Sequence, residues 1–178
     1  MRVLVSAASK HGATSEIATK VAKELASRGF EVVAQPADVV PSVAGFDAVV
    51  IGSAVYAGRW LAPARALVER EAATLLTLPV WLFSSGPIGD AAKPDAGRSD
   101  GAALRTLVGA RDHRVFSGRL DRSELSVGER FVVRVVRAPD GDFRNWDEVR
   151  DWAAEIAREL SEPVATTVHA TTDATPVG

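Results

Sequence analysis

The chain has 178 residues, of which 47% are hydrophobic and 25% charged, and its formal net charge is -2. This is the balance of a single globular domain with its own core, and the negative charge disfavours a general nucleic-acid binder. The lack of cysteine excludes a disulfide framework, an iron–sulfur cluster and a thiolate zinc site, and it fits a reducing cytoplasm.

Short apolar strands alternate with amphipathic helices in the first two thirds of the chain. In chain order, the predicted elements are strand 2–6, a helix ending at Gly29, strands 31–34 and 48–51, helix 61–70, strand 79–83, helix 102–108 and strand 113–116. The first helix carries Ile17, Val21 and Leu25 at a spacing of four, which gives it one apolar face. Strands separated by helices imply a parallel sheet with right-handed crossovers.

The last helix has the clearest start signal. Asn145 and Glu148 form an Asn-x-x-Glu pattern, a close relative of the capping box. Its apolar side chains follow at helical spacing and are Trp146, Val149, Trp152, Ile156 and Leu160. We therefore expect one domain over residues 1–160 and, because residues 161–178 lack an apolar period, a disordered tail.

The segment over residues 125–136 is compatible with a helix or a strand. If it is helical, Arg130, Arg134 and Arg137 share one face. That face is either solvated or a contact for a partner or an anionic membrane surface. No apolar run approaches the roughly 18 residues that a spanning helix needs, so peripheral contact is the only membrane association that we expect.

The loop over residues 6–15 leaves a strand and enters a helix. Backbone N–H groups at a helix N-terminus lack partners and carry partial positive charge, so they can bind a phosphate. Ser9, Thr14 and Ser15 add hydroxyl donors, and Gly12 allows close approach of the backbone. The alternative is a simple helix cap, which needs only one hydroxyl. The loop is neither a Walker A sequence nor a Rossmann fingerprint.

Two further loops follow later predicted strands. Residues 52–60 include Tyr56, Gly58 and Trp60, and aromatic rings at a strand end can stack on a planar ligand. The alternative for Trp60 is burial in the core. Residues 84–90 contain two glycines and a proline, so their backbone amides are candidates for the polar edge of a ligand, or they form only a turn.

Several other kinds of site find no support. The three histidines are scattered without metal-ligand spacing, and we expect no metal. No Gly-x-Ser-x-Gly elbow occurs, and the acidic cluster of a phospho-receiver domain is absent from the strand ends. These patterns name no catalytic residue.

Together, the three loops resemble the flavodoxin family. Its phosphate loop follows the pattern Ser/Thr-x-x-Gly-x-Thr, which Ser9, Gly12 and Thr14 match. The subgroup that includes menaquinone-dependent protoporphyrinogen oxidase is similar over about residues 1–160. The likeness includes residues 50–58 and the Phe-Arg-Asn-Trp sequence at 143–146.

The resemblance implies an α/β three-layer sandwich, with a five-stranded parallel sheet in the order 2-1-3-4-5 and FMN at the switch point. The cofactor-binding residues that it implies are Ser9, Lys10, His11, Gly12, Ala13, Thr14, Val55, Tyr56, Ala57, Gly58, Trp60, Ser85, Gly86 and Gly89.

The implied function is that of a cytoplasmic, FMN-dependent oxidoreductase resembling protoporphyrinogen oxidase. Its partner would be a redox protein or a small-molecule substrate, with a quinone as the candidate acceptor and no role for nucleic acid. The alternatives are an electron-transfer flavodoxin without a substrate of its own and a flavin-free interaction module.

Overall fold

The computed structural model of the chain describes residues 1–56, 58–86, 100–120 and 141–162. The elements are β1 (Arg2–Ala8), α1 (Ala13–Ser27), β2 (Glu31–Pro36), β3 (Ala48–Tyr56), β4 (Arg59–Trp60), α2 (Ala62–Arg70), α3 (Ala72–Leu75), β5 (Val80–Ser85), α4 (Asp100–Val108), β6 (Asp112–Phe116), β7 (Arg119–Leu120), β8 (Gly141–Asp142) and α5 (Trp146–Ser161).

Five of the strands form one parallel sheet in the order β2-β1-β3-β5-β6. This is the predicted order, because these are the five strands expected from the sequence. Two short antiparallel pairings were not expected. Strand β4 folds back on β3, with Val55 opposite Trp60 and Tyr56 opposite Arg59. Strands β7 and β8 pair with each other apart from the main sheet.

The sheet is covered by helices on both faces, because alternate side chains of each strand point to opposite sides. Helices α1 and α5 cover one face, where Trp81, Phe83 and Trp152 are the largest buried side chains of the core. Helices α2, α3 and α4 cover the other face, which holds Leu82 and Trp60. The three-layer sandwich predicted from the resemblance is therefore confirmed.

Two helix ends follow their local sequence signals. Gly29 has a φ of +92°, and its N–H donates to the carbonyl of Ala26, which ends α1 where the sequence predicts. Asn145 Oδ1 accepts hydrogen bonds from the N–H groups of Asp147 at 3.1 Å and Glu148 at 3.3 Å. The predicted cap of α5 is confirmed.

Strands β3 and β5 run further than predicted, so residues 52–56 and 84–85 belong to strands and not to loops. In the sequence, Gly52 suggests that the strand ends, but in the structure it lies within β3 and makes room for a neighbouring side chain. A Cβ at this position would overlap the ring of Phe83 on the neighbouring strand. The ambiguous segment 125–136, Arg137 and the predicted tail from residue 163 onward lie outside the described residues.

Candidate functional site

The first loop connects β1 to α1 at the carboxyl edge of the sheet. Gly12 is the N-cap of α1 with a φ of +78°, and no side chain in the described part of the protein caps this helix. The helical hydrogen bonds start with Glu16 N, which donates to Gly12 O at 3.0 Å. The preceding N–H groups, from Ala13 to Ser15, therefore point out of the helix end. Thr14 is 2% exposed, whereas Ser9 and His11 are half-buried.

The second loop is the turn of a two-stranded hairpin. Gly58 has a φ of +77°, which suits the tight turn between β3 and β4, while Ala57 lies outside the described residues. The Tyr56 side chain is 38% exposed at the end of β3. Lys10 Nζ lies 5.8 Å from the centroid of the Tyr56 ring, so this cation–π contact brings the first and second loops together.

Trp60 lies beneath this hairpin. It is only 3% exposed and packs in the core cluster that contains α2 and α4. Its indole Nε1 donates to Ser84 Oγ at 2.8 Å, and its backbone N–H donates to Asp100 Oδ2 at 3.1 Å. The structure thus places Trp60 in the core, one of the two positions that the sequence left open. There it holds the hairpin against β5 and α4.

The third loop begins where β5 ends. Ser85 is buried, and Gly86 has a φ of +92° and donates its N–H to Phe116 O at 3.0 Å. A Cβ on Gly86 would lie 3.8 Å from the carbonyl oxygen of Val55, so the second and third loops are neighbours. Gly89 lies outside the described residues. The predicted residues that are described therefore converge on the ends of β1, β3 and β5.

A chain of hydrogen-bonded polar side chains lies behind these loops and includes His113, which sequence reasoning did not select. Ser84 Oγ is 2.8 Å from His113 Nε2 and also accepts the hydrogen bond from Trp60. Burial lowers the pKa of His113; Arg105 adds to this effect, and Asp112 opposes it. The Trp60 indole can only donate, so Ser84 Oγ accepts from it, while the direction of the Ser84–His113 hydrogen bond depends on the tautomer of the imidazole.

Sequence reasoning assigned no role to Arg119 or Arg144, whose side chains lie beside the first loop. Arg144 Nη1 donates to Ala13 O at 3.2 Å, and Arg119 Nη2 donates to His11 O at 3.2 Å. Both side chains also pair with Glu16 in the first turn of α1. They come from β7 and from the residue before the α5 cap, more than 100 positions away in sequence. A local sequence pattern cannot predict contacts between residues this far apart in the chain.

Comparison with known sequences gives a family for this arrangement of loops. Residues 4–147 match the profile described as flavodoxin domain. The chain belongs to the flavodoxin domain family. This flavodoxin domain is also 24% identical to the protoporphyrinogen IX dehydrogenase [quinone] of Escherichia coli strain K12, an alignment that covers 92% of this chain and 98% of the relative.

Solved structures agree on the fold. A flavodoxin from the domain Archaea superposes with a TM-score of 0.62 at 14% identity, covering 91% of this chain and 100% of that one. The oxidised flavodoxin 1 of Bacillus cereus gives a TM-score of 0.59 at 13% identity, with 90% and 100% coverage. At the level of the family, these relatives support a flavin-binding redox protein. Within the described ranges, no helix is both long and apolar enough to cross a membrane.

Proposed function

We propose that this flavodoxin domain binds FMN and acts as an oxidoreductase that passes electrons to a small acceptor. The observation that carries the proposal is the placement of the uncapped N-terminus of α1 beside the exposed ring of Tyr56, joined through Lys10. One end of such a site suits a phosphate and the other suits a planar ring. When bound, FMN would supply the redox chemistry, and the protein would hold and orient it.

The phosphate would bind at the start of α1. Three backbone N–H groups, those of Ala13, Thr14 and Ser15, point out of the helix, and the helix dipole adds partial positive charge. The hydroxyls of Ser9 and Thr14 are further donors. Gly12, in the left-handed region, exposes its backbone without a side chain in the way.

The ring would stack on Tyr56, with Val55 and the backbone of Gly58 beside it. The hairpin that carries these residues is supported from below, because Trp60 is anchored to Ser84 and Asp100. Ser85, Gly86 and Gly89 would approach the opposite edge of the ring. A pre-organised cradle of this kind would fix the position of the ring and exclude water from the face that stacks on Tyr56.

A quinone is the acceptor that we propose, because the name of the E. coli relative specifies one. The corresponding donor would be a porphyrinogen or a similar reduced small molecule. A cytoplasmic location belongs to the same proposal and is supported by the cysteine-free sequence.

The test is a titration of purified protein with FMN and with riboflavin, followed by flavin fluorescence and absorption. Three charge-assisted hydrogen bonds at about 1.5 kcal/mol each correspond to a preference for FMN of roughly a thousandfold. Ser15→Ala leaves the backbone donors in place and should weaken FMN only slightly. Ser27→Ala, at the other end of α1, is the matched control and should have no effect.

Equal affinities for the two flavins would contradict the phosphate site. Binding of neither flavin would favour the flavin-free interaction module. If FMN binds selectively but porphyrinogen and quinone give no turnover, the protein is an electron-transfer flavodoxin without a substrate of its own.

A further inference from the structure

A carboxylate stands next to the loop that would receive the phosphate. Glu16 lies in the first turn of α1, and its Oε1 is 3.9 Å from the position that a Cβ would take on Gly12. A phosphate over this loop would face a second negative charge at short range. Like charges this close repel strongly, especially where solvent is partly excluded. A phosphate can therefore bind at this loop only if the charge of Glu16 is neutralised.

Two arginines contact the two oxygens of this carboxylate separately. Arg119 Nη1 pairs with Glu16 Oε1 at 3.1 Å, and Arg144 Nη1 pairs with Oε2 at 2.8 Å. Each arginine also donates to a carbonyl of the same loop, Arg119 to His11 and Arg144 to Ala13, both at 3.2 Å. The same two side chains thus neutralise Glu16 and fix the backbone beside it.

The side chain of Arg144 is buried and its position is fixed by two neighbours, Trp146 and Asp142. Its side chain is only 3% exposed, and its guanidinium lies 4.4 Å from the centroid of the Trp146 ring. Asp142 accepts two hydrogen bonds from the Arg144 side chain, at 2.7 Å from Nε and 2.6 Å from Nη2, and one from its backbone N–H at 3.2 Å. These bonds lower the pKa of Asp142, so this carboxylate stays ionised and keeps the arginine oriented. Among the described side chains of this cluster, the two arginines thus face two carboxylates, those of Glu16 and Asp142.

We propose that Arg119 and Arg144 form an arginine clamp on Glu16, and that this clamp makes the first loop able to accept a phosphate dianion. The clamp rests on the proposed function, because it concerns the phosphate of the same cofactor. Its arginines are positioning residues that act through Glu16 and the loop carbonyls. The clamp also gives a role to the Phe-Arg-Asn-Trp sequence at residues 143–146, since Arg144 lies within it.

The experiment measures the dissociation constants of FMN and riboflavin for wild type and variants. Arg144→Gln frees one oxygen of Glu16, so the dissociation constant of FMN should rise at least tenfold while that of riboflavin changes less than twofold. Adding Glu16→Gln to Arg144→Gln removes the unbalanced charge and should bring FMN binding back to within threefold of wild type. Arg150→Gln, on the exposed side of α5, makes the same charge change and should leave both constants unchanged.

Three outcomes would overturn the clamp. In the first, Arg144→Gln raises the dissociation constants of FMN and riboflavin by the same factor. In the second, Arg144→Gln leaves the preference for FMN unchanged. In the third, the double variant binds FMN as weakly as Arg144→Gln does. Thermal melts verify folding. If Arg144→Gln does not fold, Arg119→Gln is measured alone and together with Glu16→Gln, and the same three outcomes would contradict the clamp. A wild type that does not prefer FMN overturns the proposed function and the clamp with it. A wild type that prefers FMN, combined with any of the three outcomes, overturns the clamp alone.

Discussion

The contact between Gly101 and His113 offers a direct test of the buried polar chain behind the site. Gly101 lies in the first turn of α4, and a Cβ there would overlap Cε1 and Nε2 of His113 and lie 3.2 Å from Ser84 Oγ. Replacing Gly101 with alanine therefore forces the imidazole away from its hydrogen-bond partner. The three atoms nearest the added methyl group belong to His113 and Ser84, so the effect reports on the polar chain beneath the first and second loops.

The change in the free energy of unfolding of Gly101→Ala has three contributions. Overpacking a well-packed site costs about 1–3 kcal/mol, and the loss of the 2.8 Å bond between Ser84 and His113 adds about 0.5–1.5 kcal/mol. Alanine in place of a helical glycine returns about 0.5–1 kcal/mol. The net loss for Gly101→Ala is about 0.5–4 kcal/mol, which lowers the melting temperature of a domain of this size by roughly 1–16 °C.

A double-mutant cycle separates this clash from a general effect on α4. In a His113→Ala background the ring is absent, so Gly101→Ala should become neutral or stabilise the protein by about 0.5–1 kcal/mol. Urea denaturation of the four proteins measures both values. If Gly101→Ala is equally destabilising in both backgrounds, the reasoning about His113 is refuted.

Two further predictions concern the histidine and the core. Burial lowers the pKa of His113 in the folded state, so the folded protein binds fewer protons than the unfolded chain. The free energy of unfolding therefore decreases as the pH falls from about 6.5, the pKa of an unfolded histidine, toward the lower pKa of the folded state. His113→Gln should therefore lose less unfolding free energy between pH 7.5 and 5.5 in urea denaturation, and identical losses would contradict this. Gly52→Ala pushes a methyl group into Phe83 and should cost about 1–3 kcal/mol or more. Gly45→Ala, which meets only open space at a positive φ, should cost less, and the reverse order would refute the packing argument.

The parts of the fold that could be predicted from the sequence are those with local causes. The apolar spacing of α1, the stop at Gly29 and the cap at Asn145 each depend on residues within a few positions of one another. The first loop is equally local, because its hydroxyls and Gly12 are contiguous. The strand order is less local, and it was predicted only because the loops resemble a known family.

The parts that could not be predicted depend on contacts between distant segments. Gly52 resembles a turn residue until Phe83 is placed beside it. Trp60 was ambiguous because its burial depends on β5 and α4. The pairing of Glu16 with Arg144 spans 128 positions, and charged residues along a chain give no sign of which partner they will meet.

The packing of α1 against α5 has a consequence for how the protein is made. These helices lie side by side on one face of the sheet, so the first helix to be synthesised is covered by the last. Until the ribosome has released residues 144–161, the side of α1 that packs against α5 is exposed, and the first loop lacks its contact with Arg144. Such a nascent chain exposes surface that favours aggregation. Binding of the proposed cofactor would then be a late event in biogenesis, after Arg144 has left the ribosome.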